Sequence, residues 1–349
     1  MAADDDPPMP TRRLLRYLFT IPGALLATAL AVGATTAGEL RLLNVSYDPT
    51  REFYREYNAA FERHWAAGGG APVVVRMSHG GSGAQANAIL SGLGADVVSL
   101  GVGHDIDRLH QRRELLAADW AERLPGGSAP HTSTIVFLVR AGNPLGIADW
   151  DDLVREGVRV ITPNPHTSGG ARWNYLAAWG FGQDAYGGDD GAFEFVRALY
   201  RNVPVLDAAA RAATNTFVQR GIGDVYVTWE NEAHLAIERL GGERFEIVVP
   251  SLSILCETPV AVVDAHVDRR GNREIAEAYV RYLYSAEAQD IAARHYYRPR
   301  DPAIAAAHRD RFPTLKLFTV DERFGGWAEA HATHFAAGGT FDRILDDLY

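Results

Sequence analysis

Short apolar runs alternate with helical periodicity along most of this chain, and that alternation restricts the fold more than any other feature. Residues 42–47 form an apolar-rich run that ends at Asp48-Pro49-Thr50, a cluster that starts helices. Phe53, Tyr57, Phe61 and Trp65 then recur at every fourth position, which predicts one buried helix face. Residues 73–77 predict a strand, broken by the loop Ser78-His79-Gly80-Gly81-Ser82-Gly83, with a helix opening at about Ala84. Further strands are predicted over residues 95–100, 134–139, 158–162, 203–206, 224–228 and 245–249, with helical patterns between most of them. Such a series predicts an α/β protein with largely parallel sheets, whose ligands collect where strand ends meet helix starts. The number of strand–helix units suggests two lobes rather than one.

At 349 residues, 47% hydrophobic and 22% charged, the chain has enough apolar material for real cores. Its net charge of −10 argues against nucleic acid or an anionic membrane as partner. An acidic protein that binds an anion must do so with locally aimed donors.

The first residues read as a targeting segment. Arg12, Arg13 and Arg16 precede an apolar run over residues 17–32, and the small residues Ala34, Thr35, Thr36 and Ala37 suit cleavage after Ala34 or Ala37. The run is short for a membrane span and Pro22 interrupts it. Residues 1–37 are therefore expected to be a signal peptide, with the mature protein in a periplasm. The Thr11-Arg12-Arg13-Leu14-Leu15 stretch leaves a twin-arginine route open. Cys256, the single cysteine, does not lie at the cleavage point, so neither a lipid anchor there nor an internal disulfide is expected.

The strongest local signal is Val160-Ile161-Thr162-Pro163-Asn164-Pro165-His166-Thr167-Ser168-Gly169-Gly170-Ala171-Arg172. A strand runs into two prolines, and a Thr-Ser-Gly-Gly loop opens a helix. Helix starts leave backbone N–H groups without partners and carry partial positive charge, which makes them anion sites. Two glycines let the main chain come close to a ligand. A plain N-cap at Ser168 explains the same residues equally well. The loops at Ser82 and at Asp48 repeat this strand-to-helix grammar.

Rival chemistries find less support in the same residues. Gly80-Gly81-Ser82-Gly83-Ala84 approximates a nucleophile elbow, but no candidate acid and histidine pair stands out later in the chain, so a serine hydrolase using Ser82 is a minor alternative. Neither glycine loop carries the lysine of a phosphate loop. The twelve histidines show no metal-ligand spacing; His79, His104 and His110 read as polar loop or helix residues. No cofactor or metal is expected. Trp229, at the end of a predicted strand, can point a donor-only N–H into a cleft or simply pack in the core. Arg172 and Arg211 are expected at the surface or behind the donors rather than against an anion.

Taken in order, seven segments resemble the periplasmic sulfate-binding protein family, the receptors of sulfate and thiosulfate ABC importers. They are Asn44-Val45-Ser46-Tyr47-Asp48-Pro49-Thr50-Arg51-Glu52, Ser78-His79-Gly80-Gly81-Ser82-Gly83, Ser168-Gly169-Gly170-Ala171-Arg172-Trp173-Asn174-Tyr175, Thr214-Asn215-Thr216-Phe217, Trp229-Glu230-Asn231-Glu232-Ala233, Tyr296-Tyr297-Arg298-Pro299-Arg300-Asp301 and Phe324-Gly325-Gly326-Trp327. The resemblance implies a non-enzymatic, monomeric receptor of the two-lobed periplasmic binding protein type (type II-like). Residues 38–135 plus 255–349 would form lobe I and residues 136–254 lobe II, with the anion between them. It also implies donors at Asp48, Ser82, Ser168, Gly169, Gly170, Ala210 and Trp229, and delivery to an importer permease. The family motif Asp-Ser-Gly-Ala-Arg-Gly departs here to Asp207-Ala208-Ala209-Ala210-Arg211-Ala212, which puts the turn at Ala210 in question. Asp48 is expected to turn its carboxylate toward backbone N–H groups as a cap and offer only its amide. Thiosulfate is the nearest alternative ligand, and molybdate a more distant one.

Donor-only sites have a clear preference. Sulfate at pH 7 only accepts hydrogen bonds, whereas phosphate keeps a proton that needs an acceptor. Leaving that proton unpaired costs roughly 1–3 kcal/mol.

Overall fold

The computed structural model describes residues 40–348, so the expected signal peptide lies outside the described residues. Two sheets organise the chain. The first has the order Val260–Val262, Val97–Ser99, Leu40–Tyr47, Val73–Gly80. Its first three strands in sequence pair in parallel and Val260–Val262 joins the edge antiparallel. The second has the order Leu206–Asp207, Val160–Pro163, Val225–Trp229, Ile135–Arg140, Phe245–Val248.

The expectation of largely parallel sheets holds for the first sheet only in part and for half of the second. Ile135–Arg140 runs antiparallel to both its neighbours, Val225–Trp229 and Phe245–Val248. It follows the short strand His131–Ser133 with Thr134 alone between them, so no helix immediately before it turns the chain for a parallel pairing. The two passages between the sheets lie side by side, with Cys256 opposite Ser133 and Glu257 opposite Thr132.

Each sheet buries both faces, which is why its strands read as continuous apolar runs. On the first sheet, Leu42 packs with Phe53, Tyr57 and Phe61 of the helix Arg51–Ala67, the predicted every-fourth-residue face. Val45 and Val98 face the other way, onto Ile89, Ile106 and Leu109. On the second, Val136, Leu138 and Tyr226 pack with Phe217. Phe137, Val139, Val225 and Val227 meet Trp150 and Trp173 on the opposite face. The C-terminal residues Phe318, Phe324, Phe335 and Phe341 join that same cluster.

Two local expectations change. Strand Val73–Gly80 continues through the predicted loop, because Ser78, His79 and Gly80 pair in register with Val45, Ser46 and Tyr47, and the helix Ser82–Leu90 starts after Gly81 alone. The strand expected over residues 203–206 reduces to Leu206–Asp207, since Val203 is taken up by the turn closing the helix Asp189–Arg201. Among the described residues no helix is long and apolar enough to cross a membrane.

Candidate functional site

The site lies where strand ends from both sheets meet helix starts. Leu40–Tyr47 ends at Asp48, Val73–Gly80 leads into the helix Ser82–Leu90, Val160–Pro163 leads into Gly169–Tyr186, and Leu206–Asp207 leads into Ala210–Val218. The first amides of such helices have no carbonyl partner within their own helix and carry the positive end of its dipole.

Distances between the junctions are short. A Cβ placed on Gly169 would stand 2.8 Å from the Ser82 Cβ, and one on Gly81 would stand 2.8 Å from the Thr167 carbonyl. Glycine is required at both positions for the two sheets' junctions to touch. The Trp229 indole completes the group: its nitrogen is 3.3 Å from a Cβ built on Gly170 and 3.4 Å from the Gly170 carbonyl oxygen. That last contact is long for a hydrogen bond, so it commits the N–H only weakly. Tyr47, at 5.2 Å between ring centroids, and Trp173, at 6.3 Å, hold the indole in place.

Ser168 is both things the sequence allowed. It caps the helix by accepting the Ala171 amide at 3.3 Å, and that use of an oxygen lone pair leaves its hydroxyl proton free to donate. Ala210 is the first residue of its helix, after Ala209 at φ −151° and ψ 161°. Those angles are ordinary extended backbone, so the alanine that replaces the family's glycine bends nothing. Thr167 ties this junction to the neighbouring one by donating to the Ala208 carbonyl at 2.7 Å.

Asp48 behaves differently from the expectation. Its carboxylate makes no cap bond to backbone N–H groups and instead receives the Arg51 guanidinium at 3.3 Å. The reason is spacing: the 3-10 turn Asp48–Thr50 places Arg51 one turn on, within reach.

Ser82 is buried, and its hydroxyl donates to Asp105 at 2.7 Å while its oxygen accepts the Gly101 amide at 3.0 Å. His79, the histidine of the same loop, shares a hydrogen bond with Ser46 instead. Burial, helped by Arg51, pushes the His79 pKa down to about 4, so the ring is neutral near pH 7. This arrangement does not match the serine hydrolase alternative.

Arg172 is buried and Arg211 half-buried, and each is paired with a carboxylate. Arg172 reaches from the Gly169 helix to Asp105 at 3.2 Å. Arg211 pairs with Glu52 at 3.0 Å and with Glu232 at 3.1 Å. Burial alone would lower its pKa, but Glu232 and Glu52 raise it above the ordinary value and hold it charged. Glu52 feels burial first as well, yet its bonds to Arg211 leave its carboxyl below the usual range. Asp105 is the residue that the sequence did not announce. It sits at the head of the helix Gly103–Arg113, 67 positions before Arg172, and no local pattern marks such a contact.

The arrangement brings helix-start amides, the Ser168 hydroxyl and the Trp229 indole of both sheets close together; Asp48, Glu52 and Asp105 are each engaged by an arginine, whereas Asp207 Oδ2 is buried without a partner among the described residues. The arrangement suits an oxyanion that only accepts hydrogen bonds.

Known proteins resemble the chain closely. The model of the family described as bacterial extracellular solute-binding protein matches residues 42–298. A sulfate-binding protein of Escherichia coli (strain K12) is 57% identical over 323 residues, covering 92% of this chain and 98% of that protein. A thiosulfate-binding protein of Pseudomonas aeruginosa is 50% identical over 330 residues, 95% of this chain and 99% of that one. The solved structure of the sulfate-binding protein SubI from Mycobacterium tuberculosis H37Rv has a TM-score of 0.77 at 34% identity, over 84% of this chain and 98% of that chain. The fold is thus the two-lobed α/β fold of periplasmic binding proteins. By sequence and by fold, the chain belongs to the bacterial extracellular solute-binding protein family.

Proposed function

We propose that the protein is a periplasmic receptor that captures sulfate between its lobes and delivers it to a membrane ABC importer. The observation that carries the reading is the meeting of the Ser82, Gly169 and Ala210 helix starts beside the Trp229 indole, where Gly169 and Ser82 touch across the two sheets. The ligands are the amides of Asp48, Ser82, Gly169, Gly170 and Ala210, the hydroxyl of Ser168, and the indole N–H of Trp229. Charge-assisted hydrogen bonds contribute about 1.5–3 kcal/mol each. Several of them support sub-micromolar affinity after desolvation and closure costs.

The receptor works as a monomer, exported by the signal peptide of residues 1–37. Lobe I is built on the first sheet and lobe II on the second, hinged at His131–Ser133 and Cys256–Glu257. Boundaries near residues 135 and 255 follow from that hinge. The packing of Phe318, Phe324, Phe335 and Phe341 on the Trp173 side supports counting the last residues with lobe II.

Thiosulfate is the second reading, favoured by the 50% identity to a thiosulfate-binding protein. Equilibrium dialysis of anion-free protein against labelled sulfate tests the proposal. One saturable site per chain is expected, and retention no better than that of an unrelated acidic protein would refute it.

A further inference from the structure

Asn174 lies one turn past Gly170 on the helix Gly169–Tyr186 and is buried. Its side-chain amide donates to the Thr162 hydroxyl at 3.0 Å and to the Val227 carbonyl at 2.8 Å. Thr162 belongs to the strand that leads toward Ser168, and Val227 precedes Trp229 on the neighbouring strand. One side chain therefore joins the helix start to both strands that carry donors of the second sheet. Its orientation is fixed, because the Val227 carbonyl only accepts and must face the amide nitrogen.

Both amide hydrogens are thus in use, while Asn174 Oδ1 is buried with no hydrogen-bond partner among the described residues. The hydroxyl of Tyr200, on the helix Asp189–Arg201, is buried without one as well. The two residues are 4% and 2% exposed, and they line one small cavity together with Thr162, Val227, Trp150 and Leu199. The centre of a water molecule has about 10 Å³ there, which is room for one. Among the described residues no charged side chain lines the cavity, so an ion would find no countercharge. An apolar guest would leave both polar atoms unpaired. A water pairs both, donating to Asn174 Oδ1 and accepting from the Tyr200 hydroxyl. Ordering one water costs less than leaving a buried carbonyl and a buried phenol unpaired.

We propose that a single bound water bridges Asn174 and Tyr200, and that Asn174, whose free oxygen it satisfies, is a positioning residue for the helix start at Gly169-Gly170 and for the Trp229 indole. None of the proposed donors lines the cavity, so the water supports the site from behind and stays out of contact with the anion. The role given to Asn174 rests on the anion-receptor reading above; the water does not.

Tyr200→Phe tests the water by the sign of its effect. A buried phenol without a partner destabilises, so removing its hydroxyl would raise the melting temperature. A phenol bonded to water loses that bond, and a fall of about one to three degrees is expected. A melting temperature equal to or above the wild type's overturns the water. A crystal structure of the wild type that shows ordered water is expected to place one within hydrogen-bond distance of Asn174 Oδ1 and Tyr200 Oη, and a dry cavity there would overturn it equally. Asn174→Leu tests the positioning, with sulfate affinity measured by titration calorimetry well below the variant's melting temperature, where lost stability alone does not move it. A fall of about tenfold is expected, as for one misplaced donor, and unchanged affinity overturns the role. Should Asn174→Leu lack a folded circular dichroism spectrum, Asn174→Ser is expected to weaken sulfate about threefold, and unchanged affinity in it overturns the role instead. A wild type that ignores sulfate defeats the receptor reading, whereas the Tyr200→Phe melting temperature bears only on the water.

Discussion

Arg172, on the Gly169 helix, meets Asp105, at the head of the helix Gly103–Arg113, at 3.2 Å, and this buried ion pair ties the second sheet's side of the site to the first. Both side chains are nearly without solvent, 5% and 0% exposed, so neither charge can fall back on water. Removing one partner of such a pair typically costs 3–5 kcal/mol. Arg108 stays behind to compensate Asp105 in part, so Arg172→Met is expected to cost about 3 kcal/mol and lower the melting temperature by several degrees. Scanning calorimetry checks it; a melting temperature equal to the wild type's would mean that the pair is dispensable.

Gly169→Ala separates closure from folding. The added methyl would stand 2.8 Å from the Ser82 Cβ, on the far side of the site, while alanine inside a helix is intrinsically favourable. Sulfate affinity should fall at least about tenfold with the melting temperature nearly kept, because the clash arises only where the two sides meet. Unchanged affinity would mean that the sides need not touch.

Trp229→Phe keeps the ring between Tyr47 and Trp173 and removes only the N–H. Loss of one donor to a charged ligand is expected to weaken sulfate about tenfold. Fluorescence or calorimetric titration reads it, and an untouched binding curve would take Trp229 out of the ligand set.

Ser168→Ala loses two functions at once. The cap bond to Ala171 is worth about 1 kcal/mol of stability, and the free hydroxyl donor is worth about tenfold in sulfate affinity. Ser168→Gly retains most of the helix start without the hydroxyl, so it should recover stability but not binding. Recovery of both would show that Ser168 is a cap alone.

Acid should destabilise the protein through its buried histidines. Burial, with Arg300 nearby, holds His131 down at about 3, and burial holds His334 at about 4 although Asp189 pulls the other way. Both folded values lie below the unfolded value of about 6.5, so the stability they allow is complete above that pH and is lost as pH falls through it toward 4. Each contributes up to about 1.4 kcal/mol per pH unit in that window. The melting temperature should drop between pH 7 and pH 5, and His131→Phe, among Phe53 and Tyr297, should flatten the drop. A flat profile in the wild type would contradict the buried neutral rings.

Local rules carried the reading of the sequence a long way. Phe53, Tyr57 and Phe61 declared a helix face because a single spacing repeats within one helix. Ser168-Gly169-Gly170 declared a helix start because caps and glycines act on their own neighbours. What escaped depends on distant partners. The strand through Ser78, His79 and Gly80 exists because Leu40–Tyr47 offers it a ladder, against the local preference of glycine and serine for loops. The Asp48 carboxylate was expected to cap and found Arg51. Asp105 has no motif of its own; Ser82 lies 23 residues before it and Arg172 lies 67 after it. The reversed direction of Ile135–Arg140 is likewise a matter of strand pairing with distant segments, which periodicity does not encode.

The central claim is that a ring of neutral donors selects a fully ionised tetrahedral anion. Titration calorimetry of refolded, anion-free protein against sulfate, thiosulfate, phosphate and molybdate tests it most directly. Sub-micromolar sulfate binding, with phosphate weaker by about a hundredfold or more, is the predicted result. Phosphate binding as tight as sulfate, or no heat with sulfate at all, would contradict the account.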